Sequence, residues 1–146
     1  MRTLASIAAV VLSLGLPPLA VAQEEGLRPK LGDIMVAAQW RHIKLWFAGK
    51  SKNWELAAYE VDRLRESLET AAVLYTGIPA EDVNNTADPI EAIRGAIDAK
   101  DSASFVKGFN ALTLACNACH QHIGRGFIVI QTPTASPFSD QDFGPR

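Results

Sequence analysis

Two cysteines and a histidine near the end of the chain have the types and spacing to do chemistry. Cys116 and Cys119 are the only cysteines, and His120 follows the second directly. Residues three apart on a helix occupy neighbouring positions of one face, about 4.5 Å apart along the axis. Two thiols placed so can each form a thioether to one porphyrin, and the adjacent imidazole can reach its iron. This C-x-x-C-H run is the attachment motif of c-type haem.

Three alternatives compete for these residues. A structural zinc site needs four ligands, which His122 or His42 would have to complete, but the Cys-Cys and His-His spacings of a zinc module are missing. A thioredoxin-like dithiol needs a βαβ context, whereas this chain has helical patterning throughout. A disulfide across C-x-x-C inside a helix is strained and closes a very small loop. We therefore expect one covalently attached haem c.

The first residues have the pattern of a secretory signal peptide. Arg2 is a short basic region, and the apolar run Leu4–Leu16 is shorter than the roughly 20 residues of a membrane-spanning helix. Ala20–Ala22 offers small residues for cleavage. The alternative, an uncleaved anchor helix, would be broken at Pro17–Pro18. We expect residues 1–22 to be removed, a mature chain without a membrane span, and a periplasmic location, outside the cytoplasm where c-type haem is attached.

The composition is that of one ordinary globular domain. The chain has 146 residues, 48 % of them apolar and 21 % charged, and a formal net charge of −2. That balance argues against a nucleic-acid partner, which would require a concentrated basic surface. No carboxylate pair suggests acid–base catalysis, so we do not expect an enzyme.

Apolar residues recur at helical spacing in four segments. Helix A is predicted from about Leu31 to Ala48, with Gly49 as its stop, and helix B from about Asn53 to Tyr75. Helix B carries glutamates that we expect on a solvated face; they are Glu55, Glu60, Glu66 and Glu69.

Two further helices follow a longer link. Helix C is predicted to start at Asp88 as N-cap, with Pro89 in the first turn and Glu91 completing a capping box. Helix D starts near Asp101 or Ser102, carries both cysteines on its buried stripe and is terminated by Gly124 and Gly126. Together the segments predict an all-α, antiparallel up-down-up-down four-helix bundle that binds haem within residues 23–126. An irregular tail, residues 127–146, begins with an apolar stretch that can pack back as an extended segment.

A four-helix chain with C-x-x-C-H near the end of its last helix resembles the class II c-type cytochromes, the cytochrome c′ and cytochrome c556 group. The resemblance covers most of residues 31 to 124. Its haem motif is specific, its helical pattern is generic, and the tail beyond Gly126 departs from the simple c′ pattern. The run 40–47 and the proline-rich tail are also similar to a subgroup of small proteobacterial c-type cytochromes. The resemblance implies Cys116 and Cys119 as thioether residues, His120 as proximal ligand, and redox proteins as partners.

The sixth iron position decides between two functions. Met35 and His42 both lie on the inward stripe of helix A, and position favours Met35, because His120 lies near the end of an antiparallel neighbouring helix. Six-coordinate members of the resembled group take a methionine from the first helix, and a Met/His pair suits electron transfer. Core filling is the alternative for Met35. For His42, the alternative to ligation is a hydrogen bond to a neighbour or a propionate. An open site would bind nitric oxide or carbon monoxide.

Several residues are weaker candidates. Arg125 has the position to pair with a haem propionate, or it is a solvated cation at the helix end. Trp46, Phe105 and Phe109 are expected to wall a haem pocket or to be ordinary core. Trp40 lies off the main stripe. Cytochromes of the resembled group are often dimers through helices A and B, so the resemblance suggests Trp40 as a homodimer contact.

Overall fold

The computed structural model describes residues 28–146, so the predicted signal peptide at 1–22 lies outside the described residues. Within that range the chain forms five helices and no strand, which confirms the all-helical class. They are α1 (Leu31–Lys50), α2 (Trp54–Leu74), α3 (Ala80–Asn84), α4 (Ala87–Asp98) and α5 (Ser102–His122). None of the helices in residues 28–146 combines the length and apolar character needed to cross a membrane.

The join between α1 and α2 corrects one prediction. Gly49 does not stop α1; it lies buried inside the helix, which continues to Lys50. A Cβ atom at Gly49 would collide with the ring of Phe105. The glycine therefore serves close packing between α1 and α5. The predicted start of α2 near Asn53 is confirmed, and the structure shows Asn53 as its N-cap, since the side chain accepts a hydrogen bond from the Leu56 amide at 3.1 Å.

The start of α4 corrects a second prediction. Its N-cap is Thr86, and Asp88 already lies in the first turn. The unpredicted short helix α3 delivers the chain to Thr86 in helical conformation, so the Thr86 carbonyl accepts from the Ile90 amide at 3.1 Å. The Thr86 hydroxyl donates to the Val83 carbonyl instead of capping α4. Asp88 still benefits from the positive end of the helix dipole.

Both predicted ends of α5 are confirmed. The Asp101 carboxylate accepts from the amides of Ala103 and Ser104 at 2.9 and 3.2 Å. At the other end, Gly124 adopts a left-handed conformation with φ 69°. The Arg125 amide donates to the His120 carbonyl at 2.7 Å and the Gly124 amide to that of Gln121 at 3.2 Å. This pair of bonds is a Schellman motif, which fixes how the chain leaves the C-x-x-C-H run.

The core lies where α1 packs on α2 and α4 packs on α5. Its largest buried side chains include Phe105, Phe109, Leu45, Leu64 and Leu112. One prediction for α2 is wrong: Glu60 is not on a solvated face but is only 2 % exposed, with its carboxylate 3.2 Å from the Arg41 guanidinium of α1. Position 60 borders the α1–α2 seam, where the opposite charge on α1 compensates the buried carboxylate.

The chain after α5 returns over the helices, and we call residues 127–146 the C-terminal strap. No helix or strand is assigned in it. The Phe138 ring lies 4.9 Å from that of Trp40, and the Phe143 ring lies 5.7 Å from that of Phe47 on α1. Phe143 is 9 % exposed and belongs to the core cluster. The strap is therefore packed against the helices and contacts Trp40, whose side chain is still 46 % exposed.

Candidate functional site

The two thiols lie on successive turns near the end of α5. Both are free and partly buried. Burial raises the pKa of Cys116 to about 11, with a further contribution from the neighbouring Cys119. Burial also raises the pKa of Cys119, helped by the negative charge of Asp82. Both groups are therefore neutral thiols near pH 7, the opposite of the lowered thiol pKa of a reactive redox dithiol.

His120 has one ring nitrogen engaged. Its Nδ1 lies 2.8 Å from the carbonyl oxygen of Ile128, in the strap. Because a carbonyl only accepts, Nδ1 carries the proton and donates it. The Nε2 atom then has the lone pair. A metal-binding histidine commonly has this arrangement, in which a backbone carbonyl selects the tautomer and orients the ring.

Asn117, between the two cysteines, holds the same segment of the strap. Its Nδ2 donates to the Ile130 carbonyl at 2.9 Å, and its Oδ1 accepts from the Ile130 amide at 2.7 Å. A single side chain thus satisfies both backbone groups of Ile130. Two residues of the C-x-x-C-H run, Asn117 and His120, therefore bind alternate residues of one short backbone segment.

His42 is placed away from the motif's imidazole, against Thr113. Its Nε2 lies 2.9 Å from the Thr113 hydroxyl, which itself lies 3.0 Å from the Phe109 carbonyl. The hydroxyl proton goes to that carbonyl, so His42 donates from Nε2. Burial lowers the pKa of His42 to about 4, and the ring is neutral at pH 7. This matches the alternative that His42 is a buried, hydrogen-bonded histidine.

The aromatic contacts define the facet of α1 that meets α5. Trp46 lies 6.5 Å from Phe105 and 4.8 Å from Phe109, between ring centroids. One turn back along α1, His42 contacts Phe109 at 4.4 Å and then Thr113. Residues earlier in α1 contact residues later in α5, so the two helices run antiparallel where they meet. The predicted pocket-wall aromatics thus form one packed cluster, just before the two cysteines in α5.

Met35 lies on that facet, two turns before His42, and its side chain is half-buried. Arg125 is exposed, and its guanidinium reaches only the neighbouring Gly124 carbonyl at 3.4 Å. His122 is also exposed and pairs with the buried Asp82 at 2.9 Å, a hydrogen bond that raises the pKa of His122. The structure brings together Cys116, Cys119 and His120, and the backbone of Arg125 adjoins them through its hydrogen bond to the His120 carbonyl.

The residues of the zinc alternative are engaged elsewhere. His42 bonds to Thr113, and His122 bonds to Asp82. Over residues 28–146, no three or more His, Cys, Asp or Glu side chains converge as a metal-holding group. The geometry therefore gives no support to a four-ligand zinc site.

Sequence reasoning missed Asn117, Thr113 and the Ile128 carbonyl. Asn117 occupies a variable position of the motif, where its residue type has no prescribed role. A backbone carbonyl leaves no trace in the sequence at all. Only the apolar stretch after Gly126 indicated that the chain could pack back there, and the structure shows that its backbone makes the hydrogen bonds to α5.

Comparison of the chain with protein-family models, curated proteins and solved structures gave no match.

Proposed function

We propose that this protein is an exported monohaem cytochrome c, similar to the class II type, which carries single electrons between redox proteins of the periplasm. The observation that carries the proposal is the arrangement at the end of α5. Two neutral thiols lie one turn apart, and the adjacent His120 has its Nδ1 hydrogen-bonded to the Ile128 carbonyl, which leaves Nε2 for a metal.

These residues fit a haem c. Cys116 and Cys119 would hold it by two thioethers, and His120 would bind the iron through Nε2. When bound, the haem supplies a one-electron redox centre. The chain's own part is to fix the imidazole, through the Ile128 carbonyl.

The proposal of Met35 as the sixth ligand follows from how α1 and α5 are aligned along their axes. The His42–Thr113 hydrogen bond aligns α1 with α5. Met35 precedes His42 by seven residues and His120 follows Thr113 by seven residues, about 10 Å in each helix. In an up-down-up-down bundle, which we propose for the four long helices, these displacements point the same way. Met35 and His120 then lie at one level of the two helices.

An electron carrier needs a redox centre that partners can approach. The motif ends in the last turn of α5, where His120 is only half-buried and the following strap segment is exposed. Electron transfer falls off with distance, so a site near the surface suits exchange with large partners. No catalytic group is required for this role.

Optical spectra of the purified protein, oxidised and reduced, test the proposal. We expect a low-spin c-type spectrum that does not respond to carbon monoxide. Met35→Ala should open the sixth position and give a high-spin form that binds carbon monoxide. Leu31→Ala, one turn earlier on α1 and also half-buried, is the matched control and should leave the wild-type spectrum unchanged.

Two results would contradict parts of the proposal. A high-spin, carbon-monoxide-responsive wild type would replace the electron carrier with a five-coordinate, gas-binding protein. An unchanged spectrum in Met35→Ala would remove Met35 from the iron.

A further inference from the structure

We propose that Asn117 is a positioning residue for the iron ligand. It clamps the strap at Ile130, and the clamped segment presents the Ile128 carbonyl to His120. This inference rests on the proposed function, because it concerns His120 as an iron ligand. It assigns a role to a variable position of the C-x-x-C-H run and to the chain that follows the helix.

The clamp is the pair of hydrogen bonds between the Asn117 side chain and the backbone of Ile130. The Asn117 carboxamide makes two hydrogen bonds to Ile130, one through Nδ2 and one through Oδ1, at 2.9 and 2.7 Å. Two residues earlier, the Ile128 carbonyl accepts from His120 Nδ1 at 2.8 Å. Asn117 and His120 are three residues apart on α5, so they share one face of the helix. The backbone from 128 to 130 lies along that face.

Apolar burial does not hold this segment in place. Phe127 is 78 % exposed, Ile128 45 % and Val129 61 %. Ile130 is partly buried, but the apolar contact along the segment is limited, so the hydrogen bonds to Asn117 and His120 contribute to fixing the backbone against α5. An exposed segment with so little apolar contact would otherwise move relative to α5.

The segment is also held at its start. Gly124 closes the Schellman motif, and the Ile128 amide donates to the Arg125 carbonyl at 2.8 Å. The Ile128 carbonyl therefore lies between a tight turn on one side and the Asn117 clamp on the other. Loss of the clamp frees only one of these two ends, so His120 keeps a partner that is less firmly placed.

A placed carbonyl changes what the imidazole does at a metal. Accepting the Nδ1 proton makes the ring more basic and fixes its orientation. A more basic imidazole stabilises oxidised iron more than reduced iron. Loosening the Ile128 carbonyl should therefore raise the reduction potential.

The test uses the full-length, exported, haem-loaded protein with two variants and a control. Asn117→Ala removes the clamp, and Asn117→Leu removes it while keeping the volume. Thr132→Val is the matched control, because Thr132 also ties the strap to α5, through a 3.1 Å hydrogen bond to Asn110, but makes no contact with His120. The readouts are the reduction potential and the hydrogen-exchange rate of the Ile130 amide.

We expect both Asn117 variants to have a higher reduction potential than the wild type. In both variants the Ile130 amide hydrogen should exchange about tenfold faster, because the lost hydrogen bond is worth about 1.4 kcal/mol. Thr132→Val should match the wild type in both readouts. Asn117 variants with the reduction potential of the control, whatever their exchange rate, would overturn the inference while leaving the proposed function intact. A wild type without a histidine-ligated haem spectrum would instead overturn the proposed function, and the inference with it.

Discussion

At the scale of residues, the protonation of His42 follows from its surroundings. The ring is 3 % exposed, is stacked on Phe109 and donates to Thr113, and no carboxylate contacts it among the hydrogen bonds and ion pairs of residues 28–146. Burial without an opposite charge disfavours the imidazolium, so the pKa falls from 6.5 to about 4. The neutral ring can then serve as a fixed donor that aligns α1 with α5.

This pKa shift makes stability depend on pH. Below pH 6.5 the unfolded chain protonates His42, whereas the folded chain does so only near pH 4. The contribution of neutral, buried His42 to the free energy of unfolding is therefore complete above pH 6.5 and is lost as the pH falls towards 4. We expect this residue to account for a loss of about 2 kcal/mol in the free energy of unfolding between pH 7 and pH 5.

Denaturant unfolding at the two pH values checks this prediction. His42→Gln keeps a side-chain donor but does not titrate. Between pH 7 and pH 5 the variant should therefore lose about 2 kcal/mol less free energy of unfolding than the wild type loses. Equal losses in the two proteins would show that His42 does not set the acid sensitivity.

At the scale of elements, the sequence predicts features that depend on neighbouring residues and does not predict features that depend on packing against a distant helix. The starts of α2 near Asn53 and of α5 near Asp101, and the glycine end of α5, depend on residues within a few positions, and the structure confirms them. The prediction for Gly49 is wrong because its partner, Phe105, is more than fifty residues away. A glycine required by another helix looks the same in the sequence as a glycine that ends its own.

Two glycines test this distinction. Gly49→Ala should lower the free energy of unfolding by about 1–3 kcal/mol, because the new methyl group meets the buried Phe105 ring. Gly95→Ala is the control: it lies inside α4, and no atom lies within 4 Å of the place its methyl group would take. We expect Gly95→Ala to stabilise by about 0.5–1 kcal/mol through helix propensity. Equal effects in thermal unfolding would contradict a packing role for Gly49.

The candidate site shows the same division. The positions of Cys116, Cys119 and His120 follow from spacing alone, because three residues of one helix cannot be far apart. The partners of His120 and His42 could not be predicted, since one is a backbone carbonyl and the other belongs to a helix 71 residues away in sequence.

At the scale of the whole molecule, the C-terminal strap joins the motif to the opposite end of α1. Asn117 and His120 bind its beginning. Near its end, Phe143 enters the core and the Asn53 side chain donates to the Gly144 carbonyl at 2.8 Å. The strap is therefore part of the folded domain, which its proline-rich composition alone does not indicate.

The strap's contribution to stability should be concentrated at Phe143. Phe143→Ala removes a buried ring from contact with Phe47 and Phe138, and we expect a loss of about 3 kcal/mol. Phe127→Ala removes a ring that is 78 % exposed and should change the free energy of unfolding by less than about 0.5 kcal/mol. Chemical unfolding of both variants measures the difference, and similar values would mean that the strap is not anchored through Phe143.

We propose that Cys116 and Cys119 hold one haem covalently, and the mass of the purified, exported protein is the measurement that decides this. We predict a mature chain heavier by one haem, with the haem retained after acid–organic extraction. Replacement of both cysteines by alanine should release it. A chain of unmodified mass from a host that attaches haem to other C-x-x-C-H proteins would contradict the account.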